Sequence, residues 1–189
     1  MKHLLLLCTL LISFNSFADE LSDANDAYER DDYTTPFTRE KKRAEQGDAQ
    51  AQSNLGFLYD NGYGTPQDHK AAIKWFAKSA EQGNADAQNN LGDMYYNGDG
   101  TPQYYKAAIK WYTKSAEQGF AAAQYNLGVM YEKGEGTPQD YVMAHMFFNI
   151  ASADGYEDAK TYRDTLAKKM TSEKILEAQQ LAKEWMEKY

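Results

Sequence analysis

The chain has 189 residues and a net charge of −8, with 20 Lys and Arg against 28 Asp and Glu. That length holds one domain or two small ones, and the acid excess argues against nucleic acid and against a polybasic grip on anionic lipid. Hydrophobic residues at 42% suffice for a core, and a single Cys excludes an intrachain disulfide or a cysteine-based zinc site.

In chain order, residues 1–18 read first as an export signal. Lys2 supplies a positive start, Leu4 to Phe14 an apolar run too short to span a bilayer, and Ser16-Phe17-Ala18 the small residues of a cleavage site. Cleavage is expected after Ala18, giving a periplasmic or secreted protein. It would remove the only Cys, Cys8, and leave a chain one charge more negative. No second run of spanning length follows, so no stable membrane insertion is expected after cleavage. Residues 19–47 read as an N-terminal cap and partial repeat, with a short helix within 19–30 and one longer helix from Tyr33 to Gly47.

From there the chain repeats itself every 36 residues. Ala44-Glu45-Gln46-Gly47 returns at 80–83 and 116–119; Leu55-Gly56 returns at 91–92 and 127–128. Gly62-x-Gly64-Thr65-Pro66-Gln67 returns at 98–103 and 134–139. Three full units follow: 48–83, 84–119 and 120–155. In each, two helical stripes flank a glycine turn. Ala51, Leu55, Leu58 and Tyr59 form the first stripe; Ala71, Ala72, Trp75, Phe76, Ser79 and Ala80 form the second. Thr65 is the expected N-cap of the second helix, with Pro66 at its first turn and Asp68 closing a capping box. Trp75 is expected to fill the space between units, and Trp111, in the middle unit, to touch both neighbours.

Residues 156–189 read as C-terminal capping helices. Ala159 keeps the repeat pattern, but Arg163-Asp164 stands where Leu-Gly stood before. Ser172 opens a last helix whose Ile175, Ala178, Leu181, Ala182 and Trp185 can seal the array. The fold class is therefore an all-α solenoid of 36-residue helix-turn-helix repeats, because a lone helix pair cannot cover its own apolar face and stacked pairs can.

Unit 84–119 carries Ala-x-Ala-Gln-x-Asn-Leu-Gly-x-Met-Tyr, then Gly-x-Gly-Thr-Pro-Gln, then Lys-Ala-x-x-Trp-Tyr-x-Lys-Ser-Ala-Glu-Gln-Gly. This resembles the Sel-one-like repeats, relatives of the tetratricopeptide repeats, over about 120 residues. The resemblance implies a right-handed α/α solenoid that serves mainly as a protein-interaction scaffold, with its first helices lining a concave surface. Unit 120–155 departs from the pattern at Val142, Met143 and Phe147.

Catalytic motifs are missing. There is no His-Glu-x-x-His, no Gly-x-Ser-x-Gly and no Ser-x-x-Lys, and the Gly-x-Gly pairs are followed by Thr-Pro rather than a phosphate-binding Lys. His69 and His145 read as structural. No cofactor and no metal site is expected. Tyr59, Tyr95 and Tyr131 recur at buried phase and read as core, whereas Phe57, Tyr96 and Tyr125 fall off that stripe. Tyr63, Tyr104, Tyr105 and Tyr141 lie on or beside turns.

The leading functional expectation is non-catalytic binding of a protein or peptide of the cell envelope, with no nucleic acid. The face opposite the Leu55 stripe supplies the candidate residues. They are Asn54 and Phe57 in the first unit, then Asp86, Asn90, Asp93 and Tyr96, then Tyr125, Asn126, Val129 and Glu132. Phe57, Tyr125 and Val129 are the expected apolar anchors, and Asp86, Asp93 and Glu132 favour a basic or neutral partner. The recurring Asn54, Asn90 and Asn126 either bind a partner backbone or satisfy a neighbouring turn. Two alternatives stand beside this: a hydrolase of the β-lactamase or penicillin-binding type known among cysteine-rich relatives, and a multimerising adaptor of an envelope complex.

Overall fold

The computed structural model describes residues 34–189. The expected signal peptide and the short helix placed within 19–30 lie outside the described residues. Among those described there are nine helices and no strand: α1 (Thr34–Glu45), α2 (Ala49–Asn61), α3 (His69–Glu81), α4 (Ala85–Asn97), α5 (Tyr105–Ala116), α6 (Ala121–Lys133), α7 (Tyr141–Ala153), α8 (Glu157–Ala167) and α9 (Ser172–Lys188). Helices α2 and α3, α4 and α5, and α6 and α7 pack as pairs, and each pair packs on the next. Helix α9 returns to cover α7. First helices also meet directly, α2 against α4, and form one row of the stack, called the inner row below; the second helices form the outer row.

Local chemistry explains the pairs. Gly62, Gly98 and Gly134 end the first helices at φ 72°, 83° and 74°, left-handed angles that glycine adopts without a Cβ penalty. The turn glutamines then hold the helix ends. Gln67, Gln103 and Gln139 each donate a side-chain N–H to a C-terminal carbonyl, of Asp60, Tyr96 and Glu132, at 2.7–2.8 Å. The N-cap of α3 is Asp68, which accepts from the Ala71 backbone N–H at 3.0 Å. The expected cap Thr65 lies in the preceding turn, because α3 begins only at His69. Asp140 caps α7 in the same way, whereas Tyr104, before α5, makes no such side-chain bond.

The remaining polar residues of the repeat are also bonds. Ser79 and Ser115 hydroxyls donate to the carbonyls of Ala49 and Ala85, at 2.6 and 2.8 Å, locking second helix to first. Gln52 and Gln88 donate to Ala44 and Ala80 carbonyls at 3.1 Å, locking each unit to the one before. These buried groups are tolerated because they find partners. The third unit departs from the pattern: Gln124 donates to Asp154 instead, and its Oε1, like Nδ1 of buried His145, has no partner among the described residues.

The core runs as successive clusters along the stack, built on Leu55, then Phe76 and Leu91, then Tyr112, Leu127 and Phe147. Tyr59, Tyr95 and Tyr131 each touch two successive clusters, so these tyrosines bridge the layers. Trp75 packs between its own unit and the one before, as expected. The expectation for Trp111 is corrected: it reaches the cluster between the first and second units only, and both tryptophans are only half-buried. Lysine ammonium groups cover their outer faces, Lys78 4.2 Å above Trp75 and Lys114 4.7 Å above Trp111. The deep aromatic is the next residue. Phe76, Tyr112 and Phe148 are fully buried. Their rings lie so close to Gly56, Gly92 and Gly128 that a Cβ there would sit 2.6 Å from a ring carbon. The Leu-Gly motif is therefore a slot for a ring. In the last unit Phe147 replaces Trp and is buried, stacked on Tyr131 at 5.7 Å and closed by the edge of Trp185 at 5.2 Å.

Candidate interaction groove

The inner face holds a hollow of about 330 Å³ between the second and third units. Helix α4 contributes Asp93, Tyr96 and Asn97, and α5 contributes Tyr112. Helix α6 contributes Tyr125, Asn126, Val129, Met130, Glu132 and Lys133, and α8 closes the end with Tyr162. Six of the ten residues expected from sequence thus meet in one place: Asp93, Tyr96, Tyr125, Asn126, Val129 and Glu132.

Asp93 lies at the centre of the bonding. Its Oδ1 accepts from the Tyr112 hydroxyl at 2.6 Å and from the Asn126 amide at 3.3 Å, and its Oδ2 accepts from Asn89 at 3.0 Å. All three donors are neutral, and Asp93 forms no ion pair among the described residues. Burial pushes its carboxyl up to about 6; the Tyr112 and Asn89 bonds offset only part of that. Burial and the Asp93 charge push the Tyr112 hydroxyl far up, so it stays a donor.

The walls are aromatic. Tyr96 packs against Tyr105 at 5.4 Å, donates to Glu135 at 2.8 Å and accepts from Lys133 at 3.0 Å. Tyr125 stacks on Tyr156 at 4.6 Å and meets Tyr162 edge-on at 5.2 Å. It also leans on buried Phe148 at 5.6 Å. Tyr125 is therefore a half-buried wall rather than the free anchor expected of it. Glu132 sits on the rim with exposed Lys169 3.7 Å away.

The other four candidates lie elsewhere. Phe57 is 49% exposed and meets Tyr63 at 5.9 Å, forming a separate aromatic patch on the first unit. Asp86 is exposed. Asn54 bonds Glu40 on α1 at 3.2 Å, and Asn126 bonds Asn89 at 3.2 Å as well as Asp93, so these two tie neighbouring helices together. Asn90 makes no side-chain hydrogen bond among the described residues; the position matching Asp93 in the unit before it is Phe57, which offers no acceptor.

Sequence reasoning missed Tyr112, Tyr162, Lys133 and Glu135. Tyr112 left a readable trace. Positions 57, 93 and 129 hold Phe, Asp and Val, while 76, 112 and 148 hold Phe, Tyr and Phe. Only the middle unit turns polar at both, and those two side chains bond. Tyr162 left none, because its contact depends on how α8 folds back.

Charge is also sorted by helix. Helices α2, α4 and α6 carry Asp60, Asp86, Asp93 and Glu132 with Lys133 as their one cation. Helices α3 and α5 carry six exposed lysines, at 70, 74, 78, 106, 110 and 114, against the single acid Glu81. The inner row is acidic and the outer row basic. Among the described residues, no cluster of three His, Cys, Asp or Glu is placed to hold a metal, and no helix is long and apolar enough to cross a membrane.

Known proteins give this architecture its class: a Sel1-repeat solenoid, typically a protein-interaction scaffold. The family model for the Sel1 repeat matches residues 49–84, 85–120 and 121–156, and the chain belongs to that family. A solved structure described as c5321, a protective antigen of uropathogenic Escherichia coli strains displaying an SLR fold, is 40% identical with a TM-score of 0.77, over 81% of this chain and 33% of that one. A Sel1 repeat protein from Oxalobacter formigenes is 34% identical with a TM-score of 0.67, over 73% of this chain and 57% of that one. This chain thus matches about a third of the first structure's length and little over half of the second's. Comparison with curated proteins found no match.

Proposed function

We propose that the protein is an exported, non-catalytic scaffold that binds a protein or peptide of the cell envelope along its inner helix face. The groove between α4, α6 and α8 carries this reading. The residues that repeat are consumed by packing and by the bonds that join units. Those that change from unit to unit collect on the inner face, where a half-buried carboxylate and tyrosine walls surround a hollow. Export rests on the charged, apolar and small-residue order of residues 1–18.

The test is capture of envelope proteins by the native chain and by a variant carrying Phe57→Ala, Asn90→Ala and Val129→Glu. Capture by the native chain and at least tenfold weaker capture by the folded variant support the reading; equal capture refutes it. N-terminal sequencing of the exported protein should begin at Asp19, and a chain beginning at Met1 in the membrane fraction would refute export.

A further inference from the structure

We propose that the groove seats an arginine side chain of the partner polypeptide, with Asp93 as its counter-ion and Tyr96, Tyr125 and Tyr162 as its walls. The proposal deepens the reading of the inner face as a protein-binding surface and rests on it.

The first observation is a missing charge. Half-buried carboxylates are normally paired with a cation or a metal. Asp93 has three donors, all neutral, and no Lys or Arg in ion-pair range among the described residues. A carboxylate offers about four acceptor sites, so room remains for one more donor. Asp93 lines the hollow, so a donor seated there is next to it.

The second is the nature of the walls. Three tyrosine rings from α4, α6 and α8 line the hollow. Aromatic faces attract cations within about 6 Å, and a planar guanidinium stacks flat on them while one of its N–H groups donates to the carboxylate; an ammonium has no flat face to stack. The protein already uses this contact: Lys133 stands 5.8 Å above the Tyr96 ring. That lysine is held to the Tyr96 hydroxyl and lies 3.9 Å from Glu135, so its charge is compensated away from Asp93.

The third is the field. The first helices concentrate acids on the inner row and the second helices hold six lysines on the outer one, so a basic segment is drawn to the groove side. Glu132 at the rim adds a second carboxylate, 3.7 Å from exposed Lys169.

The experiment titrates the full-length protein with three capped tripeptides, Ala-Arg-Ala, Ala-Lys-Ala and Ala-citrulline-Ala, followed by side-chain NMR shifts of the groove. Citrulline keeps the shape of arginine and removes its charge. The arginine peptide should shift Tyr96, Tyr125, Tyr162 and the Asn126 amide, and the citrulline peptide should bind at least tenfold more weakly. The lysine peptide should fall between them. Asp93→Asn should bring the arginine peptide down to the citrulline level. Tyr162→Ala, at an exposed rim position, should weaken arginine binding without touching the bonds of Asp93, which keeps the test decisive if Asp93→Asn fails to fold. Equal affinity for arginine and citrulline, or no shift of these groups by millimolar arginine peptide, overturns the proposal. If envelope capture persists in that case, the interaction reading survives and only the arginine seat falls; if capture is also indifferent to the inner-face variant, both fall.

Discussion

The first and second units share one backbone plan and differ in what they place on it. In the first, Phe76 fills the Gly56 slot, Phe57 is left half-exposed, and Asp60 meets His69 at 2.7 Å. In the second, Tyr112 fills the Gly92 slot and sends its hydroxyl to Asp93, and Tyr96 meets Tyr105 where Asp60 met His69. Inward substitutions come in matched pairs, apolar with apolar and donor with acceptor. The slot holds Phe or Tyr, and the residue on the inner face matches what the ring carries. Repeats of this kind can therefore vary their inner surface without disturbing the stack.

The largest effect should come from emptying the slot. Tyr112→Ala should cost about 3–5 kcal/mol, the range for removing a fully buried large aromatic, and Phe76→Ala a similar amount. Trp111→Ala should cost less, about 1.5–3 kcal/mol, because Trp111 is half-buried and reaches one cluster. Urea midpoints measure all three; a larger loss for Trp111 than for Tyr112 would reverse the assignment of the deep ring.

A subtler exchange tests the pairing itself. Phe76→Tyr should cost about 1–3 kcal/mol, since Phe57 offers its new hydroxyl no acceptor. Adding Phe57→Asp should recover part of that loss, copying the second unit. Tyr112→Phe should cost about 1–3 kcal/mol by withdrawing a donor from half-buried Asp93. A double-mutant cycle with no coupling energy would show that the pairs are independent.

Asp93 also predicts a pH signature confined to the second unit. Its carboxyl is raised to about 6 in the folded protein against 3.8 for an ordinary Asp, chiefly by burial, so the folded state holds this proton more tightly than the unfolded chain. Its contribution to stability is fully present below about 3.8 and is lost as pH rises through about 6. Asp60 on α2, Tyr112 on α5, and Asn126, Glu132 and Lys133 on α6 share this neighbourhood. The difference in unfolding free energy between the native chain and Asp93→Asn should therefore change between pH 4 and 6 and stay flat elsewhere. A pH-independent difference would contradict the burial of Asp93.

The smallest effect belongs to the first unit's inner face. Phe57→Ala should change stability by less than about 0.5 kcal/mol, because the ring is 49% exposed. A loss above 1 kcal/mol, read from the same urea curves, would mean that Phe57 belongs to the core.

Much of the site was legible because solenoid units repeat. Six of ten inner-face candidates line one groove, since residues one period apart stand side by side on adjacent first helices. The other four do not line it. Asn54, Phe57, Asp86 and Asn90 share the face but lie outside this hollow, whereas Tyr125 lines it as a wall rooted against Phe148, Tyr156 and Tyr162. Thr65 carried a good N-cap signature, yet α3 starts after Pro66-Gln67, where Asp68 is better placed to reach the Ala71 N–H.

The sequence by itself determined the helices, the period and the order of the stack, because glycine turns, small-residue stripes and helix lengths act within one unit or between successive ones. Only the tertiary structure decided which ring entered the Leu-Gly slot. Trp75 and Phe76 are adjacent and both apolar, and the choice depends on the angle at which one helix crosses its neighbour. The path of α8 was likewise beyond reach, since the repeat pattern has decayed there and no period sets its register; it brings Tyr162 over the end of the groove. The stripe of α9, by contrast, was enough to expect that it seals the last full repeat, where Trp185 meets Phe147. The groove exists because a local repeat meets a non-repeating cap.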